Sequence, residues 1–465
     1  MRRLALAGSI AIVAAGATGA CATSSDNTAP ETAPAPDAAV GADANPPIDA
    51  GPCTALRCRR AECAPGQKTT IRGVVYDPAG RMPIFNAHVY VPDVEKGEGL
   101  VLPPLPSSLE VGVKCATCPA PPMPAITQTL TDARGRFVLD DVPIADAVPV
   151  VVQLGKWRRL FKLDVQTKCG ENPFTAPLRL PKNGLEGDLP HVAVAVSMDD
   201  VACALLSLGI DQHEFVKGTP ESGHVHLYQG FAYPDDPAPV PGAPLADGVW
   251  NDVEQLAKFD IVVLGDEGLA HEETKGGPPG TPGARAAVHD YVARGGRALL
   301  TGSQYTWIAH SPYPDFQLVG KLAVYPERPQ TEFLFDPTVP KAAALRETLT
   351  SLGGPTGFRA DTKVMNEAIG YPATPWLTPK SEPQPLFTLN TPMGAPPNAQ
   401  CGRVTYMTGL LALVGTPESW PAHCVDEDPT PFSRQQFDIA NFLFVDLATC
   451  IADDATPPSL PKAIK

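Results

Sequence analysis

Four stretches of the sequence place reactive side chains directly after apolar runs of strand character. They are Ser197-Met198-Asp199-Asp200, Gly265-Asp266-Glu267, Gly302-Ser303-Gln304-Tyr305 and Thr408-Gly409. In an open parallel sheet, ligands bind past the carboxyl ends of the strands. Any pocket in this protein should therefore be lined by Ser197, Asp199, Asp266, Glu267, Ser303, Gln304 and Tyr305. The Ser303 hydroxyl could serve as a nucleophile only if a base activated it, and Asp266 and His310 are the nearby candidates. The pattern Gly-x-Ser-x-Gly is absent, so the plain reading makes Ser303 a turn or capping residue. His224-Val225-His226 falls on an expected strand, where period two puts both imidazoles on one face, as metal ligation could use. Asp266, Glu267, His271 and Glu272 add further donors on another loop. Nothing in the sequence brings these groups together, and the plain reading is a solvated strand face and an acidic loop. No metal or other cofactor is expected.

Cysteine supplies a second set of candidates. Cys115-Ala116-Thr117-Cys118 has the spacing of a redox motif, which needs a helix N-terminus to lower the thiol pKa. Here the segment runs into Pro119, Pro121, Pro122 and Pro124, which favours a structural disulfide, local or to a neighbour. Cys53, Cys58 and Cys63 repeat every five residues and read as a small stapled cap. A zinc site would want tighter pairs and a fourth ligand.

Cys21 differs from the rest. It follows Arg2, Arg3 and the apolar, Ala/Gly-rich run 4–19, with small residues Ala17-Thr18-Gly19-Ala20 immediately before it. A basic start, a short apolar stretch and small residues at a cleavage point mark a secretory signal rather than a spanning helix. With the cysteine in place, the segment resembles a bacterial lipoprotein signal. That resemblance implies a lipidated Cys21 as the first mature residue and a lipid bilayer as a partner. Ala22, where Asp would suggest inner-membrane retention, points to the outer membrane or cell surface. Setting Cys21 aside leaves Cys53, Cys58, Cys63, Cys115, Cys118, Cys169, Cys203, Cys401, Cys424 and Cys450, an even number that can pair in an oxidising compartment.

The elements that would position these residues follow from composition and periodicity. The chain has 465 residues, enough for two or three domains, and 54 prolines, which argue for long loops. Its 36 basic against 51 acidic residues and the lack of a basic block exclude a nucleic-acid partner. Residues 22–52 are Ala, Pro, Asp, Thr and Ser with almost no large apolar side chains, so they read as a disordered tether between the signal (1–21) and the cysteine cap (53–65). Residues 66–174 read as all-β. Thr70–Tyr76 alternates, 86–91 is a second strand, 129–139 reads as a hairpin about an Asp/Gly turn, and 150–154 and 157–165 follow. In Trp157-Arg158-Arg159 the indole should border the core, with the arginines exposed. A Pro/Gly/Lys linker, 175–190, leads into a region, 191–452, where apolar strands alternate with helices and a parallel sheet is expected. There Asp199 is the expected cap of a helix over 199–208, and 453–465 form a tail.

The sequence "IRGVVYDPAGRMPIFNAHVYV" with "TLTDARGRFVLDDVP" is similar to the carboxypeptidase regulatory-like module. That similarity implies a transthyretin-like β-sandwich of carbohydrate-binding-like class, carrying here a Pro-rich insertion over 100–124. "AKFDIVVLGDEG", "VHDYVARGGRALLTGSQYTW" and "CGRVTYMTG" resemble the glutamine-amidotransferase-like fold in its flavodoxin-like arrangement. Together with "VQLGKWRRL", "GHVHLYQGFAY" and "FDIANFLFVDLATCI", the pairing resembles a family of myxobacterial lipoproteins of unknown function. An active amidotransferase needs a cysteine nucleophile at the elbow after Leu299-Leu300, where this chain has Thr301-Gly302-Ser303-Gln304. The expectation is thus a non-catalytic surface lipoprotein that binds a polysaccharide or envelope protein. A divergent hydrolase using the strand-end pocket is the alternative.

Overall fold

The computed structural model describes residues 53–460, apart from 116–123, 198, 219–221, 231–239, 267–280, 325–331, 360–363, 370–371, 381–383, 409–419, 425–430 and 450. Cys21, Cys118, Cys450, Glu267, His271, Glu272 and the expected tether lie outside these residues. The chain from Cys53 onward packs as one unit.

Its first part contains β1 (Thr70–Tyr76), β2 (His88–Pro92), β3 (Ala125–Leu130), β4 (Arg136–Leu139), β5 (Ala145–Leu154), β6 (Trp157–Val165), β7 (Glu171–Pro173) and β8 (Leu178–Arg179). One sheet runs β4-β1-β7 with β8 also on β1, and the other runs β3-β2-β5-β6. The period-two pattern of β1 buries Ile71 and Val75 completely. They share a core with Phe137 and Leu139 of their own sheet and with Val89, Val91, Val148, Val150 and Val152 of the other.

The expected hairpin over 129–139 is corrected. Its arms lie in different sheets, β3 on β2 and β4 on β1. Thr131 holds this corner, accepting the Ala87 N–H at 2.8 Å and donating to Ile84 O at 2.6 Å. The Asp/Gly turn survives with Gly135 at φ 70°. A Cβ there would strike Val75 O, so the turn is pressed onto β1.

The second part carries β9 (Val192–Val196), β10 (Phe215–Lys217), β11 (Val225–Gln229), β12 (Ile261–Leu264) and β13 (Arg297–Thr301). Then come β14 (Gly320–Val324), β15 (Glu332–Phe335), β16 (Gly357–Arg359), β17 (Val364–Ile369), β18 (Thr374–Pro375), β19 (Leu377–Thr378), β20 (Leu386–Thr391) and β21 (Gly402–Met407). An eight-stranded sheet runs β10-β11-β9-β12-β13-β21-β20-β18. It is parallel from β10 to β21 and antiparallel beyond. Small sheets β14-β17 and β16-β15-β19 flank it. The unbroken apolar runs of the parallel strands are explained by burial on both faces. Val192, Val194, Val196, Ile261 and Val263 pack in one layer with the helices Val201–Ser207 and Pro431–Ala448. Ala193, Ala195, Val262 and Leu264 pack in the other with Val288, Tyr291 and Val292 of the helix Pro282–Ala293.

The two parts share a core. Trp157 is fully buried and meets Phe444 edge-on at 5.9 Å. A Cβ on Gly155, at φ 58°, would collide with Ala448 O, so the β5–β6 turn rests on the end of the last helix. The expectation of exposed arginines here is corrected. Arg158 is 1% exposed, paired with Asp188 at 2.8 Å and bonded to Pro103 O, because β6 is flanked by the chain segments around 103 and 188. Arg159 is partly covered and pairs with Glu186 at 2.8 Å.

Disulfides reinforce the packing. Cys53–Cys58 closes the small cap, and Cys63–Cys169 ties the cap to the end of the first part. Cys115 pairs with Cys401, 286 positions away, and Cys203 with Cys424, 221 away. The expected structural role of Cys115 is met by a distant partner rather than a local one.

Candidate functional site at the strand ends

Strand order reverses between β9 and β12: β10 and β11 lie beyond β9 on one side, β13 and β21 beyond β12 on the other. Such a switch point opens a crevice past the carboxyl ends of the two strands. Ser197 and Asp199 follow β9, and Gly265 and Asp266 follow β12. The third expected group, Gly302–Tyr305, forms a 3-10 turn after β13. These residues, read from separate stretches of the sequence, lie together at one end of the sheet.

Asp199 sits at the centre. It was expected to cap the following helix, but the N-cap position is Asp200, and the Asp199 carboxylate is directed across the sheet. Its Oδ2 accepts the Asp266 N–H at 3.0 Å and the Thr301 hydroxyl. One side chain from β9 thereby ties down the ends of β12 and β13. Only 1% exposed, Asp199 is pushed up to about 7 by burial, with the Asp266 and Asp200 charges adding to the rise and its hydrogen bonds opposing it. Among the described residues its buried Oδ1 has no hydrogen-bond partner, consistent with a carboxyl that keeps its proton near neutrality.

Asp266 carries the chain of contacts onward. Its Oδ1 accepts both the Ser303 N–H at 2.9 Å and the Ser303 hydroxyl at 2.5 Å. Gln304 donates to Gly265 O at 2.8 Å and accepts the Trp307 indole N–H, while Tyr406 donates to Gly302 O at 2.9 Å. Gly302 has φ 53°, and a Cβ there would collide with the Asp266 carboxylate. Glycine is required for the elbow to close this tightly.

The structure therefore brings Ser303 and Asp266 together and leaves His310 apart. His310 is exposed beyond the helix Thr306–Ala309, and no hydrogen bond joins its ring to Ser303. Ser303 and Gln304 are each 2% exposed, and Tyr305 is fully buried against Phe387 and Tyr406. A base must reach the proton it removes. Among the described residues the base bonded to the Ser303 hydroxyl is Asp266, which also holds the Ser303 backbone in place.

His224 and His226 lie at the opposite, amino end of the sheet. His226 is fully buried and His224 partly so. The expected solvated strand face is corrected, because His191 at the start of β9 packs over both rings. It stacks on His224 with centroids 4.8 Å apart, and its Nδ1 lies 3.2 Å from His226 Nε2. Sequence periodicity could not have found His191, which precedes β9 and is distant in the chain. Among the described residues no group of three or more His, Cys, Asp or Glu side chains could hold a metal ion. Near-parallel His191 and His224 rings, tilted by only 17°, cannot both contain one ion in their planes.

A third feature is a groove of about 570 Å³ between the two parts, lined by Phe85, Thr131, Arg134, Ala344, Glu347 and Pro458 among others. The Arg134–Glu347 ion pair, 2.7 Å, crosses it from one part to the other.

No protein-family model matches the chain, and no curated protein matches it. Among solved structures, an N-terminal interface mutant of a type II cohesin–X-dockerin complex from Acetivibrio cellulolyticus aligns at 15% identity. It covers 31% of this chain and 85% of that one, with a TM-score of 0.16. A cytoplasmic protein from Salmonella typhimurium aligns at 15% identity over 54% of this chain and 98% of that one, with a TM-score of 0.24.

Proposed function

We propose that this protein is an exported, lipid-anchored component of the cell envelope that binds its ligand without turning it over. In this reading Cys21 carries the lipid, residues 22–52 form the tether, and the outer membrane or cell surface is the destination. The first part is a transthyretin-like, carboxypeptidase regulatory-like module. The second is a flavodoxin-like domain of the glutamine-amidotransferase class without its nucleophile. The order β11-β9-β12-β13-β21 supports the second assignment, since it is the flavodoxin-like order.

The observation that carries the proposal is the state of the elbow. The position where an amidotransferase would present a cysteine holds a buried serine whose hydroxyl and N–H are both bonded to Asp266. The disulfides among the described residues support export, because such bonds persist in oxidising compartments. The ligand we favour is a polysaccharide of the envelope. A glycan array probed with the mature protein tests this, and retention of no glycan, with capture of an envelope protein instead, would replace the ligand class.

One observation favours a second reading. The 2.5 Å contact between the Ser303 hydroxyl and Asp266 is within proton-transfer distance, as a divergent hydrolase would need. Turnover of amide and ester substrates that is lost in Ser303→Ala would establish that reading.

A further inference from the structure

The cluster His191, His224 and His226 is used by nothing described so far. It sits where the two parts of the molecule meet. The Asp260 carboxylate accepts the His191 N–H at 2.9 Å and the Ser108 hydroxyl at 3.0 Å, and it pairs with Lys156 of the β5–β6 turn at 2.8 Å. Ser108 and Lys156 belong to the first part, and His191 and Asp260 to the second. His191 thus immediately precedes β9 and is also a neighbour of the bridge that fastens the sheet to the β-rich part.

The proton positions follow from the partners. His226 Nδ1 faces Gly218 O at 2.9 Å, and a carbonyl only accepts, so that nitrogen carries the hydrogen. In the neutral ring its Nε2 is then an acceptor, and His191 Nδ1, 3.2 Å away, donates to it. His224 Nδ1 lies 2.5 Å from Glu214 Oε2, and Glu214 Oε1 accepts the Gly184 N–H at 2.8 Å. The network is complete with neutral His191 and His226. A proton added to His226 must go to Nε2, where two N–H groups would then face each other. A proton added to His191 places a cation beside Lys156.

We propose that the His191–His226 pair is an acid-operated latch: it holds the start of β9 against the Asp260–Lys156 bridge at neutral pH and releases it on acidification. The charged and titratable groups around it are Glu214, His224, His226, Lys156 and Asp260, with Arg297 and Tyr291 behind Asp260. Burial, with repulsion from the other histidines and from Lys156, holds His191 down to about 3; burial holds His226 at about 4. Both lie below the ordinary histidine value of about 6.5, so the closed state is favoured above that pH and weakens as pH falls toward 4. At pH 5 the open form gains about thirtyfold for each histidine, and about a thousandfold for the pair.

Hydrogen exchange on the full, oxidised protein tests this. The reporters are the amides of His191, Val192 (to His224 O, 2.8 Å) and His224 (to Glu214 O, 3.0 Å), compared with Val263 and Leu299 in the sheet centre. The expected result is a loss of protection of roughly 500-fold at the reporters between pH 7 and 5, with the sheet centre retained and the change reversible. In His191→Gln the loss should shrink to about thirtyfold. Should that variant not fold, nitrogen-15 spectra of the wild-type imidazoles read the same point, with His226 remaining neutral at pH 5. Protection independent of pH, equal loss in the sheet centre, an undiminished response in His191→Gln, or a His226 midpoint near 6.5 would each overturn the latch.

Discussion

The Asp199 carboxylate receives the backbone N–H of Asp266 at 3.0 Å, across the point where strand order reverses. The ends of β9 and β12 are thereby tied together from within, and the residues there are almost wholly buried. The Asp266 side chain continues the bridge to Ser303, so three strand ends are fixed by two carboxylates.

Asp199 makes stability depend on pH in a defined direction. Its pKa is raised from 3.8 to about 7, so the folded protein holds a proton that the unfolded chain releases between those values. Its contribution is present below pH 4 and is lost as pH rises to 7, at about 1.4 kcal/mol per unit. Asp199→Asn keeps an acceptor for Asp266 and Thr301 and cannot ionise. Urea unfolding should show the variant gaining on the wild type from pH 5 to pH 7, with no further gain at pH 8. An equal difference at every pH would contradict this.

Ser303→Ala removes a hydroxyl bonded to Asp266 but leaves the backbone bond. A stability loss of about 1–3 kcal/mol is expected, with unchanged ligand binding. Gly302→Ala is expected to be far worse, since the new methyl meets a carboxylate held in place by Ser303. Denaturation midpoints and binding isotherms on both variants check the contrast.

A buried ion network ties the end of the chain to the sheet. Arg403 pairs with Asp454 at 2.7 Å and Asp446 at 3.3 Å, and Lys341 with Asp446 at 2.8 Å and Asp454 at 3.4 Å, all 4% exposed or less. Buried in this network, Asp454 is held at about 2 by Arg403 and Lys341, against the pull of desolvation. Its contribution is therefore present above pH 4 and lost as pH falls toward 2. Asp454→Ala leaves two cations under-compensated and should cost about 3–5 kcal/mol at pH 7, read by urea unfolding.

Replacing Cys203 and Cys424 together by serine should cost roughly 2–5 kcal/mol. The loss should match that of the wild type under reducing conditions to the extent that this one bond dominates. Mass mapping of the oxidised protein should recover Cys63–Cys169, Cys115–Cys401 and Cys203–Cys424 as pairs.

What the sequence showed was what periodicity and position carry. β1, β9, β12 and β13 announce themselves by alternation or unbroken apolar runs, and Asp199, Asp266 and Ser303 follow from being next in line. What it concealed depends on partners distant in the chain. Arg158 looks like a surface residue until Asp188 and Pro103 close over it. His191 gains its meaning only from His226, 35 positions on. β3 and β4 look like one hairpin because an Asp/Gly turn joins them, and only Thr131 reveals the corner. The strands between 320 and 391 have only two to six residues each, too little pattern to read.

The central claim is that Cys21 anchors an exported protein whose fold does not need the anchor. The direct measurement is fractionation and intact mass of the wild type and Cys21→Ser, each isolated from the envelope. The expected result is a wild-type chain beginning at a lipidated Cys21 in the membrane fraction, and a variant in the soluble fraction with the same disulfides and melting temperature. An unmodified Cys21, or a variant that still sediments with membranes, would contradict it.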